Sequence, residues 1–164
     1  MSPSDLLAIA ALLVAGLAAF YARGARDAAA KANKITVHES RRPLRLAVFQ
    51  AMFQFSHYCS TYWTLYHLHA VNKAEDLVGR IDTFKWEIAQ HGHLDMPDVE
   101  IKVKELISNA WNMQRLIDRI AGGQDEPLNR TYATAEENIE ALVEWFASEN
   151  RELKTLFRPY LAVA

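Results

Sequence analysis

The sequence predicts an all-α protein: a single N-terminal transmembrane helix followed by a small antiparallel bundle of about four helices. Three observations carry this. Residues 6–26, LLAIAALLVAGLAAFYARGAR, are uncharged up to Ala22 and then abruptly basic. From Pro43 onward, apolar residues recur every three or four positions, the spacing of one helix face. No segment alternates with period two for long enough to make a strand.

The first element is the anchor. A secretory signal peptide carries its positive charge before the apolar run, whereas here only Met1-Ser2-Pro3-Ser4-Asp5 precede it. Ser2 is a candidate N-cap, Pro3 suits a first helical position and Asp5 completes a capping-box-like pair. Residues 3–22 would reach roughly 30 Å at about 1.5 Å per residue, the thickness of a hydrocarbon core. Phe20 and Tyr21 fall where an interfacial aromatic belt sits. Ala11, Ala15 and Ala19 form a small-xxx-small ridge, a candidate face for self-association of the anchor.

Charge sets the expected orientation. Arg23, Arg26, Lys31, Lys34, Arg41, Arg42 and Arg45 oppose only Asp27 and Glu39, a net of +5 over residues 23–45. Residues 46–164 carry 11 basic and 17 acidic residues, a net of −6, and Asp5 completes the overall −2. Positive flanks stay in the cytoplasm. The expectation is therefore a single-pass protein of the inner membrane, N-terminus outside and body inside. The seven basic residues would meet anionic lipid headgroups, each contributing on the order of 1 kcal/mol. An acidic body argues against nucleic acid as a partner.

The domain reading is an anchor and juxtamembrane helix over 1–34, a hinge over 35–43 (ITVHESRRP), and a cytoplasmic bundle over 44–164. The hydrophobic fraction of 51% suffices for its core. Its first helix starts at Pro43 and runs to about residue 70, with a stripe of Val48, Met52, Phe55, Cys59, Tyr62 and Tyr66. Phe49, Phe53 and Trp63 widen that stripe. Asn72 and Glu75 would cap the next helix, with inner residues Leu77, Ile81, Phe84 and Ile88, ending at Gly92. Pro97 opens a helix spaced Val99, Val103, Leu106, Ala110, Met113, Ile117 and Ile120, which Gly122-Gly123 stops. After the loop GGQDEPLNR, Thr134 and Glu137 form a capping box. The last helix carries Ile139, Val143, Phe146, Leu153, Phe157 and Tyr160, with Asn150 filling one stripe position.

Chemical motifs are sparse. His91-Gly92-His93-Leu94-Asp95 offers three possible ligands but lacks the further spaced ligands that make a metal site specific. His67 and His69 point about 200° apart on a helix and cannot share an ion. Cys59 lies on the apolar stripe, where a free cysteine behaves as a small hydrophobe. No nucleophile elbow, phosphate loop or dinucleotide fingerprint occurs. The carboxylates of the last helix read as a solvated outer face. No cofactor, metal or catalytic residue is expected.

The C-terminal stretch EWFASENRELKTLFRPYL is similar to that of a group of small, uncharacterised bacterial membrane proteins. Those have an N-terminal spanning helix and a helical bundle ending in a WF…L…LF.PYL-like pattern. Here the pattern falls on Trp145, Phe146, Leu153, Leu156, Phe157, Pro159, Tyr160 and Leu161. The resemblance implies a fold and an anchor and carries no activity. The aromatic run FQFSHYCSTYWTLYHLH and the HESRRP break depart from it. Trp145, Phe146, Phe157 and Tyr160 are expected to dock the last helix onto the bundle.

The function expected is that of a non-enzymatic, membrane-anchored interaction protein, its bundle binding a protein partner or a second copy of itself. The alternative is a small membrane effector or sensor whose bundle responds to a ligand and alters anchor packing. A metal-dependent enzyme is the third reading.

Overall fold

The computed structural model describes residues 3–67, 77–91 and 96–162, with side chains described from Leu12 onward and not for His67. The described residues form four helices: α1 (Pro3–His67), α2 (Leu77–Gln90), α3 (Pro97–Ala121) and α4 (Ala135–Leu161). The chain divides into two compact units, one ending at Arg41 and one spanning Arg42–Ala162. The proposed caps at Ser2, Asn72 and Glu75 lie outside the described residues.

The expected transmembrane helix over residues 3–22 is not supported. Among the described residues, no helix is long and apolar enough to cross a membrane. Beyond Ala22, α1 turns basic and polar.

α1 runs unbroken through 35–43 although Pro43 lies inside it. Proline removes one helical N–H and crowds the carbonyl four residues back. The polar residues there, which often leave a helix to bond elsewhere, bond back into it instead. Thr36 Oγ1 donates to the Ala32 carbonyl at 2.9 Å and Ser40 Oγ to the Val37 carbonyl at 2.9 Å.

Within Arg42–Ala162 the four helical segments form an up-and-down bundle. The end of α1 meets α2 where Phe55 stacks on Phe84, with ring centroids 4.2 Å apart. It meets α4 at Phe49–Phe157 (5.3 Å) and Phe55–Phe146 (6.5 Å). Numbers rise along α1 as they fall along α4, so the two are antiparallel. Residues recurring every three or four positions supply the core: Val48, Met52, Phe55, Cys59 and Tyr62 on α1; Leu77, Ile81 and Phe84 on α2; Val99, Leu106, Ala110, Met113 and Ile117 on α3. α4 adds Ile139, Phe146, Leu153 and Phe157. The all-helical, bundled part of the sequence reading therefore holds.

The α3–α4 connection is a built loop. Gly122 N–H returns to the Asp118 carbonyl and Gly123, at φ +74°, donates to the Ile120 carbonyl; this left-handed conformation favours glycine. Thr134 Oγ1 accepts from Glu137 N–H at 3.1 Å while Glu137 Oε2 accepts from Ala133 N–H at 2.8 Å, a reciprocal capping box. Asp125 Oδ1 takes the Ala135 N–H at 2.9 Å. These bonds use the first free amides of α4 and hold the loop against it.

Candidate functional site

Three regions concentrate chemistry or unsatisfied surface. The first lies on the N-terminal part of α1. Leu12, Leu13, Val14, Leu17, Phe20 and Tyr21 are all exposed, Leu12 at 76% and Phe20 at 75%. Ala15 and Ala19 are exposed beside them, and the side chain of Ala11 lies outside the description. Arg23, Arg26, Lys31 and Lys34 follow, all exposed. Arg41, Arg42 and Arg45 complete the seven basic residues of the sequence reading. Arg41 and Arg42 make contacts of their own. Arg45 is half-buried in the bundle: Nη1 donates to the Tyr160 carbonyl at 3.2 Å and its guanidinium lies 5.8 Å from the Tyr160 ring centroid.

The second region is the C-terminal aromatic set. Phe146 and Phe157 are fully buried, and Trp145 and Tyr160 are half-buried at the edge of the core. Ser56, buried on α1, donates its hydroxyl to the Phe146 carbonyl at 2.8 Å. A buried carboxylate lies one turn on. Glu149 is 2% exposed, where the sequence suggested a solvated outer face. It sits on the inner stripe between Phe146 and Leu153, the place the sequence reading gave to Asn150. Lys102 of α3 reaches across to it. Its Nζ lies 3.1 Å from Glu149 Oε1, 2.9 Å from Glu105 Oε2 and 3.8 Å from Glu152 Oε2. Glu149 Oε2 is buried without a hydrogen-bond partner. Burial pushes the Glu149 carboxyl above the ordinary carboxylate range, a rise that Lys102 offsets only in part. Burial pulls Lys102 down, but hydrogen bonds to Glu105 and Glu149 outweigh it and its pKa rises. The cluster is an ion pair holding α3 to α4.

The third region escaped the sequence reading. A cleft of about 550 Å³ opens between α3, α4 and the loop joining them. Asn109, Asn112 and Arg115, one turn apart on α3, face Asn138 and Trp145 of α4 and Tyr132 of the loop. Arg115 Nη2 donates to Asn112 Oδ1, and Asn112 Nδ2 approaches Asn109 Oδ1 at 3.5 Å. Asn138 is 6% exposed and its Oδ1 accepts two loop amides, from Leu128 at 3.1 Å and Asn129 at 3.2 Å. The i, i+3, i+6 spacing of three polar residues on α3 was the available signal. It reads as a solvated face until α4 and the loop are folded over it.

Cys59 and His57 do not come together. Cys59 is fully buried, and burial drives its thiol far above the ordinary range despite the nearby Arg80 charge. A thiol so protonated is a poor nucleophile. His57 is exposed, on the opposite side of α1. His93 and Asp95 lie outside the described residues, as does His69. Among the described residues, no group of three His, Cys, Asp or Glu is placed to hold a metal ion. The fold and these regions define a helical bundle preceded by an apolar and basic segment. No protein family, curated protein or solved structure matches the chain.

Proposed function

We propose that this is a non-enzymatic interaction protein that binds an anionic lipid surface through the N-terminal part of α1 and offers its bundle to a protein partner or a second copy. The supporting observation is the run of exposed large apolar side chains from Leu12 to Tyr21, followed directly by Arg23, Arg26, Lys31 and Lys34. Apolar surface left in water costs about 25 cal/mol per Å², and a helix with no polar face is ordinarily covered. Exposed cations beside it favour a cover of opposite charge. Phe20 and Tyr21 stand at the junction, where aromatic rings suit the headgroup level.

Co-sedimentation of the full chain with vesicles tests this. Phosphatidylglycerol-rich vesicles should retain the protein, and phosphatidylcholine vesicles should retain much less. Raising salt should weaken retention, because a Debye length shrinks from about 10 Å at 0.1 M to about 3 Å at 1 M. Changing Arg23, Arg26, Lys31 and Lys34 to Gln should abolish the lipid preference. Equal retention on both vesicles, or none on either, overturns the reading. A concentration-dependent oligomer formed in the absence of lipid would assign the apolar segment to a second copy instead.

A further inference from the structure

We propose that the α3–α4 cleft is a binding site for a small organic anion, a carboxylate or phosphate carried on an apolar or aromatic body. The inference rests on which ends of the polar side chains are already used. Asn138 receives two backbone N–H groups at Oδ1. Since only an oxygen can accept them, its Nδ2 is the end left over, on a buried residue that lines the cleft. The same logic runs along α3. Arg115 donates to Asn112 Oδ1, which turns Asn112 Nδ2 toward Asn109 Oδ1 and leaves Asn109 Nδ2 free. Tyr132 adds a hydroxyl with no protein partner.

The unused side-chain groups are therefore mainly donors: the carboxamide NH₂ groups of Asn109, Asn129 (whose Oδ1 accepts from Thr131) and Asn138, the remaining N–H groups of a guanidinium, and a phenol that can donate or accept. No carboxylate lines the cleft, although the surrounding body is acidic. A ligand that fits must supply acceptor oxygens, and a full negative charge makes bonds to the guanidinium roughly twice as strong as neutral ones. Leu128, Ala141, Leu142 and the Trp145 indole form the apolar part of the wall. They suit an apolar or planar body, so the cleft matches an organic anion better than a bare inorganic one. At about 550 Å³ it falls within the range of roughly 300–1,000 Å³ typical of small-molecule sites.

The test uses the full chain with benzoate and phenyl phosphate as anionic probes, and benzamide and inorganic phosphate as controls. Binding is followed by the indole N–H resonance of Trp145, assigned with Trp145→Phe. At least one of benzoate and phenyl phosphate should shift this resonance saturably, and whichever binds more tightly assigns the anion class. Arg115→Gln should weaken that binding by about tenfold or more. It alters an exposed side chain, so an unchanged melting temperature separates a lost ligand contact from a lost fold. Asn138→Asp keeps acceptors for the two loop amides but replaces the free donor with an oxygen. It should weaken the same probe, whereas Arg151→Gln, exposed on α4 outside the cleft, should not. Absence of a saturable shift with either aromatic acid overturns the proposal. So does equal binding of benzamide, or undiminished binding by Arg115→Gln.

Discussion

The N-terminal part of α1 and α3 are both helices rich in large apolar residues, yet their side chains meet opposite fates. Between Leu12 and Tyr21 every large apolar residue is exposed. On α3, Val99, Leu106, Ala110, Met113, Leu116 and Ile117 are buried. The difference lies in arrangement. On α3 most apolar positions keep to one face, with Ile101 the exposed exception, and charged residues such as Lys104, Glu105 and Arg115 occupy the other. Such a helix can hide its stripe against neighbours and still present a wet face. Residues 12–21 have no polar face, so packing one side would leave the other uncovered. α3 is completed by its own chain, whereas the N-terminal part of α1 carries its large apolar side chains exposed.

Substitutions can break this contrast, beginning where the core is tightest. Phe146→Ala should cost about 3–5 kcal/mol. That residue is fully buried, meets Phe55 edge to face, and its carbonyl receives Ser56. A thermal melt of the full chain should show a large fall in the bundle transition. A small one would mean that the aromatic stripe is less closely packed than its burial indicates.

The ion pair comes next. Lys102→Met leaves Glu149 buried without its cation and should cost about 2 kcal/mol near neutral pH, less than a fully enclosed pair because Lys102 is partly exposed. The pH dependence gives a sharper signature. Glu149 has a folded-state pKa raised above its ordinary value of 4.5, so its protonated form is favoured by folding. This contribution is complete at acid pH and is lost as pH rises through the folded value. Denaturant melts of Glu149→Gln should lack that decline. In Lys102→Met the decline should grow steeper, since the offsetting charge is gone. The raised Lys102 pKa acts in another window, its contribution being lost only as pH rises above the ordinary 10.5.

A cap should matter less. Thr134→Ala removes the hydroxyl that accepts Glu137 N–H and should lower stability by about 1 kcal/mol. Glu137→Ala, which frees the Ala133 amide on an exposed turn, should cost no more. The smallest effect belongs to the other region. Leu13→Ala trims a side chain that is 65% exposed and should leave the bundle melt within about 0.5 kcal/mol. A large loss there would show that the apolar segment is part of the folded core.

Local patterns made much of the bundle legible. Apolar spacing located its four helical segments, Gly122-Gly123 marked the end of α3, and Thr134 with Glu137 marked the start of α4. Pro43 misled in one respect, because the helix passes through it. The apolar run before Arg23 misled in another, because composition shows that a segment is hydrophobic without showing what covers it.

The sequence by itself determined helix positions, breaks and most of the buried stripe, because these follow from interactions three or four residues apart. Only tertiary structure decided the rest. Lys102 finds Glu149 47 residues away, and Arg45 finds Tyr160 115 residues away. Asn109, Asn112 and Arg115 read as a solvated face until Asn138, Tyr132 and Trp145 close a cleft over them. Pairing between distant residues depends on which helix faces which, and side-chain periodicity within one helix carries no record of its neighbour.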